Sequence, residues 1–365
     1  MAAGGVRNEA PVLLKAASTT PGPKAVGPSA APGASGPAKA AVTSGAPKAG
    51  SDTIVQPARI APFKIVSIEQ ANQYIKALVY AEYGVGKTFL MGTSADVPSM
   101  RDVLLISAEG GQLTLEDDEH DFNLIDVVQV RDYKTVAKVH EFLKLHCTLR
   151  DRAFAGDEAA KEKMREIQQA LMPDIKDPNR IRMYQTVITD SLTEIEVYCM
   201  NQLLGVSDST KIDEETQGAE WAEYKKQHMM VQRLIRNFRD LPMNVLFSCA
   251  RAYVQDDQKR QLFSPMMTGK LAGQVQGFMD MVGYLVLAKG DADADESQHI
   301  TRMYVRAGTR FAAKSRFSRY KKPYFDNPTM GSIMVDVGLL EPADVPRLKA
   351  KPAGSNSFKA GASKK

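Results

Sequence analysis

Residues 77–91, ALVYAEYGVGKTFLM, constrain the fold of this chain more than any other stretch. An apolar run ends at Glu82, two glycines bracket Val85, and Lys87 and Thr88 open a second apolar segment. That order reads as a buried strand, a tight turn and a helix start. The phosphate-loop pattern G-x-x-x-x-G-K-[ST] fits residues 81–88 if its first position accepts Ala81. The glycines such a cradle requires are those where the backbone takes positive φ and approaches phosphate oxygens, and Gly84 and Gly86 are available there. Backbone N–H groups from Tyr83 to Thr88 then turn inward, and the helix start adds partial positive charge. Lys87 would neutralise the β- and γ-phosphates, and the Thr88 hydroxyl would ligate Mg2+. The expected nucleotide-binding residues are Glu82, Tyr83, Gly84, Val85, Gly86, Lys87, Thr88 and Phe89, with ATP and Mg2+ as cofactors.

Around this loop, apolar runs alternate with helical stretches, the pattern of an α/β sheet. Strands are expected at 76–81, 103–109, 126–130, 186–190, 244–250 and 283–289, with 300–308 as an antiparallel edge. The first few are short, continuous apolar runs, as in strands covered on both faces. Helices are expected at about 133–149, 157–171, 191–204 and 219–240. The charged helix at 157–171 falls outside the alternation and reads as a surface insertion within 150–180.

A cradle hydrolyses nothing without a metal-binding acid and a base for water. TVITDS places Asp190 at the carboxyl end of a strand, where it would hold Mg2+ with Thr88 or simply cap the next helix. VLLISAEGG places Glu109 at the same sheet edge, either as the base or as a plain loop carboxylate.

In that order, GVGKT, LLISAEGG and VITDS resemble the RecA-type recombinase core. The resemblance implies a RecA-like P-loop NTPase fold, with a mostly parallel central sheet flanked by helices. It also implies Glu109 as catalytic acid-base residue. AAKSRF is similar to the K-x-R segment of RadA-like and DnaB-like proteins, which projects into a neighbouring subunit's site. On that match Lys314 and Arg316 act in trans within a ring or filament; otherwise they belong to a basic hairpin. Over residues 62–335 the arrangement is most similar to the short RecA-like ATPases of phages, among them nucleotide-binding proteins and single-strand annealing recombinases. It departs from RecA-like proteins at the γ-phosphate sensor, where NVLFSCARAY offers Ala250, with Arg251 as a substitute.

The segment after NVLFSCA reads as a long glycine-containing loop that interleaves Arg251, Lys259, Arg260 and Lys270 with Tyr253 and Phe263. Cations with aromatics suit single-stranded DNA, although Asp256 and Asp257 dilute the signal and a solvated loop fits too. The expected function is a DNA-stimulated ATPase of phage-type recombination or annealing. The alternative is a nucleotide-gated scaffold, or a helicase or helicase-loader ATPase, meeting single-strand-binding protein or other replication proteins.

Charge is segregated. Of the +4 total, residues 1–62 carry +4 and 343–365 carry +5, which leaves the middle at −5. The Ala/Pro/Gly-rich stretch 1–60 and the basic stretch 343–365 read as disordered tails on an ATPase domain at 61–342. The three cysteines form no C-x-x-C pair, which fits a reducing cytoplasm, that of a bacterial host if the chain is phage-encoded. No apolar run approaches the roughly 20 residues that span a bilayer. His140 and His146 lie on an apolar helical stripe and read as packing or surface residues.

Overall fold

The computed structural model describes residues 67, 73–116, 119–172, 181–207, 209–211, 213–215, 218–255, 261–289 and 299–344. The tails expected at 1–60 and 343–365, apart from residues 343 and 344, lie outside the described residues, as do Asp256, Asp257, Lys259 and Arg260.

The apolar run before the phosphate loop is β1 (Lys76–Ala81), and the residues after it form α1 (Lys87–Gly92). Then follow β2 (Val103–Ser107), β3 (Ile125–Gln129), α2 (Tyr133–Phe154), α3 (Glu158–Leu171), β4 (Thr186–Asp190) and α4 (Leu192–Leu203). The second half adds α5 (Trp221–Arg239), β5 (Asn244–Gln255), β6 (Gln261–Pro265), α6 (Leu271–Phe278), β7 (Met281–Lys289) and β8 (His299–Tyr304). Short elements close the chain: β9 (Lys314–Ser315), β10 (Tyr324–Asp326) and α7 (Met330–Val337).

The sheet order is β10-β8-β7-β1-β5-β4-β2-β3. Strands β1, β2, β3, β4, β5 and β7 run parallel, while β8 and β9 pair antiparallel with β7. This is the RecA-like P-loop core, with β1 central. The strand period of two divides the core. Leu78 and Tyr80 face a cluster with α2, α4, α5 and α6; Ala77, Val79 and Ala81 face a second cluster with α1 and α7. Continuous apolar runs in β1, β2 and β4 are therefore the consequence of burial on both faces. Ala81 is one of those inward side chains and packs with Leu90 and Met91. The residue that departs from the loop pattern thus serves the core, where a methyl group fits.

Three expectations are corrected. The strand expected to reach 109 ends at Ser107, because its tip turns away over Gly110, φ 76°. The run at 300–308 is not the edge: β8 lies between β7 and β10, which pairs with it at Arg302–Tyr304. The stretch after NVLFSCA is not a long loop. β5 continues to Gln255 and pairs antiparallel with β6, Tyr253 opposite Phe263, and α6 follows. The cross-strand aromatic pair stabilises a hairpin that charge and glycine content conceal. The helix α3 lies on the surface side of α2, through Ala160 and Met164 against Leu149 and Ala153. His146 is buried against Phe142 and Tyr184, and burial, with Arg150 nearby, pushes its pKa down to about 3.

Candidate nucleotide site

Gly84 and Gly86 take φ of 76° and 100°, and no atom would obstruct a Cβ at either, so it is conformation alone that calls for glycine. Lys87, buried at the start of α1, donates from Nζ to the Glu82 carbonyl at 3.1 Å. Its ammonium also lies 5.5 Å from the centre of the Tyr83 ring. The cation is thus folded back onto its own loop.

Beside it stand the two acids. Strands β2 and β4 pair with Ser107 opposite Asp190, and the Asp190 carbonyl accepts from Ala108 N at 2.6 Å and Glu109 N at 3.4 Å. Sheet pairing thus brings a residue from position 109 against one from position 190. Thr88 Oγ1 donates to Asp190 Oδ2 at 2.7 Å, and Ser248 Oγ donates to Oδ1. Ser191 Oγ donates to Glu109 Oε1 and also caps α4. Burial pushes the Glu109 pKa above the usual carboxylate range. The Asp190 charge adds to this rise, and the Ser191 hydrogen bond and Lys87 oppose it.

Hard oxygen donors at Thr88 and Asp190 fit Mg2+, which keeps several waters and takes the rest of its shell from phosphates. Consistent with that mode, no cluster of three or more His, Cys, Asp or Glu side chains occurs among the described residues. Gly111 closes the site from above. A Cβ there would lie 3.1 Å from Asp190 Oδ2 and 3.2 Å from Thr88 Oγ1. Ser248 and Gly111 were not singled out in the sequence. Ser248 left a trace there, as a small polar residue inside the apolar run NVLFSCA.

The other expected residues fall elsewhere. Ala250 pairs with Ala81 and is buried, so a methyl group stands at the sensor position. Arg251 turns to Glu82, with Nη2 to Oε1 at 2.5 Å. Tyr253 is exposed on β5, and Lys270 is exposed at the start of α6. Lys314 donates to the carbonyls of Gln276 and Met279 at 2.7 and 3.1 Å, and Arg316 pairs with Asp280 at 3.2 Å. Asp280 N bonds to Lys76 O and Arg316 N to Asp280 O, so Arg316 stands level with the first residue of β1. Five strand residues separate that level from Ala81, about 17 Å along the sheet.

A family model described as an AAA domain matches residues 73–317. No curated protein matches the chain. Among solved structures, one ATPase domain is similar at 12% identity, over 70% of this chain and 80% of that one, with a TM-score of 0.33. No helix among the described residues is long and apolar enough to cross a membrane.

Proposed function

The chain belongs to the AAA-domain family, and we propose that it binds ATP with Mg2+ at residues 82–89 and hydrolyses it. The observation that carries this reading is the meeting of Lys87, Thr88, Asp190 and Glu109 at one sheet edge, from three separate stretches of sequence. Glu109 takes the proton of the attacking water as that oxygen bonds to the γ-phosphorus and the bond to the β–γ bridging oxygen breaks. Ser191 holds Glu109 Oε1 and orients the carboxylate for that step. Lys87 leaves the Glu82 carbonyl for the phosphates and stabilises their charge. Bound Mg2+, held by Thr88 and Asp190, supplies further neutralisation across the β- and γ-phosphates.

Lys314 and Arg316 stand too far down the sheet to reach their own loop, which favours a ring or filament in which they serve a neighbour. Hydrolysis would support work on single-stranded DNA of the phage recombination or annealing kind, in the cytoplasm of a bacterial host. The DNA would meet Arg251, Tyr253, Lys259, Arg260 and Lys270. One observation favours a second reading, a nucleotide-gated scaffold or helicase-type replication ATPase. Arg251 is already engaged by Glu82 and its aromatic neighbours, which leaves the described part of the hairpin few free cations. ATP turnover with and without single-stranded DNA at low salt separates them. Stimulation supports the DNA reading, and turnover without response or binding supports the scaffold.

A further inference from the structure

Glu82 is an acid inside a loop that gathers phosphate, and an unneutralised carboxylate there repels a triphosphate. The structure gives it a partner of its own. Arg251 Nη2 donates to Glu82 Oε1 at 2.5 Å, while the backbone carbonyl of Glu82 holds Lys87. The two side chains differ sharply in exposure, 63% for Glu82 and 14% for Arg251, so the arginine is the fixed member.

A cage built by three strands holds it. The guanidinium lies 4.5 Å from the ring centre of Phe263 on β6 and 5.0 Å from that of Tyr253 on β5. Nη1 donates to the Tyr284 hydroxyl on β7 at 3.2 Å, and Nη2 to the Tyr253 hydroxyl at 3.1 Å. Phe263 in turn stacks on Tyr284 at 5.5 Å, and its carbonyl accepts from Tyr80 on β1 at 3.1 Å. Planar stacking and a forked set of donors are what an arginine offers and a lysine does not. Its charge persists at every pH the protein meets.

We propose that Arg251 is a positioning residue that acts on the nucleotide through Glu82, as the fixed counter-charge that lets a carboxylate sit in an anion-binding loop. This rests on the reading of residues 82–89 as an ATP site. It also gives Arg251 a role other than that of a γ-phosphate sensor or a DNA contact. The net charge of the pair then sets nucleotide affinity. It is zero in the wild type and in Glu82→Gln/Arg251→Gln, positive in Glu82→Gln, and negative in Arg251→Gln.

The test is calorimetric titration of the full chain and these three variants with Mg-ATP and Mg-ADP, at low salt and at high salt. Glu82→Gln should bind ATP most tightly, Arg251→Gln most weakly, and the double variant should lie between them. Each single step should amount to roughly fivefold. The spread should be wider for ATP than for ADP, which carries less charge, and should narrow at high salt. Weaker ATP binding in Glu82→Gln overturns the proposal, as does a double variant no better than Arg251→Gln, which would mean that the arginine only packs the hairpin. Glu82 is exposed, so its substitution decides the matter even if Arg251→Gln fails to fold. Lys87→Ala keeps the two readings apart. If it loses ATP while the charge series is flat, the counter-charge alone is refuted; a wild type that binds no nucleotide refutes both.

Discussion

The two ends of the parallel sheet carry buried charge in opposite ways. At the amino end the charges are mainly cations, and backbone carbonyls take up their donors. Arg150 is fully buried and donates to the carbonyls of Tyr184 and Pro242 at 3.0 and 2.7 Å. Lys76 donates to the Leu241 and Met243 carbonyls, and burial lowers its pKa to about 8. Lys314 caps two more carbonyls near the end of α6. At the carboxyl end the buried groups are acids, and their partners are hydroxyls: Thr88 and Ser248 on Asp190, Ser191 on Glu109. A cation bound to carbonyls satisfies both partners and has no further chemistry to offer. A carboxylate bound to a hydroxyl keeps lone pairs for a metal, a water or a proton. The amino end is built to hold strands together, and the carboxyl end to accept a ligand.

The comparison breaks or holds most visibly when one chemical change is made at both ends. Lys87→Met should lower ATP turnover by about a hundredfold or more while leaving the denaturant midpoint close to wild type. Arg150→Met should do the reverse. Two carbonyls lose their donor, so stability should fall by about 2–4 kcal/mol, read by denaturant titration, with ATP affinity retained in the folded fraction. Loss of both properties in either variant would mean that the two ends are not separable.

A finer cut lies in the Gly110–Gly111 turn. Gly110 has φ 76° and open space around a Cβ; Gly111 has no positive φ but sits against the Asp190 and Thr88 oxygens. Gly111→Ala should weaken Mg-ATP binding by about tenfold while sparing stability, since its methyl group crowds metal ligands. Gly110→Ala should cost about 1 kcal/mol of stability, with a smaller effect on binding. Titrating nucleotide against Mg2+ concentration for both variants checks the pair.

The smallest effects are in pH. The raised pKa of Glu109 makes its protonated form the favoured one in the folded chain. Its contribution to stability is therefore present below the ordinary carboxylate pKa and lost as pH rises through the folded value. Turnover needs the ionised form, so its acid limb should lie above the pH expected of an ordinary Glu. His146 has the opposite sign. Its pKa is depressed to about 3, so stability should fall as pH drops from about 6.5 towards 3. Turnover and melting profiles across that range read the two groups separately.

Much of the carboxyl end was legible in the sequence because its signals are local. A glycine turn with Lys-Thr, and an acid at the end of an apolar run, each lie within a few residues. Ala81 and Ala250 looked like defects and are small residues at paired positions on β1 and β5. What escaped depends on contacts across long separations. Ser248 reaches Asp190 from 58 positions away, and Arg251 reaches Glu82 from 169. The hairpin of β5 and β6 was hidden because its strands carry charge at the tip and pair through Tyr253 and Phe263. The eight-residue helices α6 and α7 escaped because glycine within them obscures a period that packing, not propensity, enforces. The amino end was almost silent: Arg150 in an amphipathic helix looks like any surface arginine until Tyr184 and Pro242 are brought to it.

The account stands most directly on Glu109, the acid that sheet pairing sets against Asp190. Single-turnover ATP hydrolysis by Glu109→Gln, measured beside its ATP affinity, isolates that residue. The arrangement predicts a fall of about a hundredfold or more in the hydrolysis step with affinity preserved. Hydrolysis at the wild-type rate would contradict it, and would show that the carboxyl end of the sheet holds nucleotide without this acid acting on it.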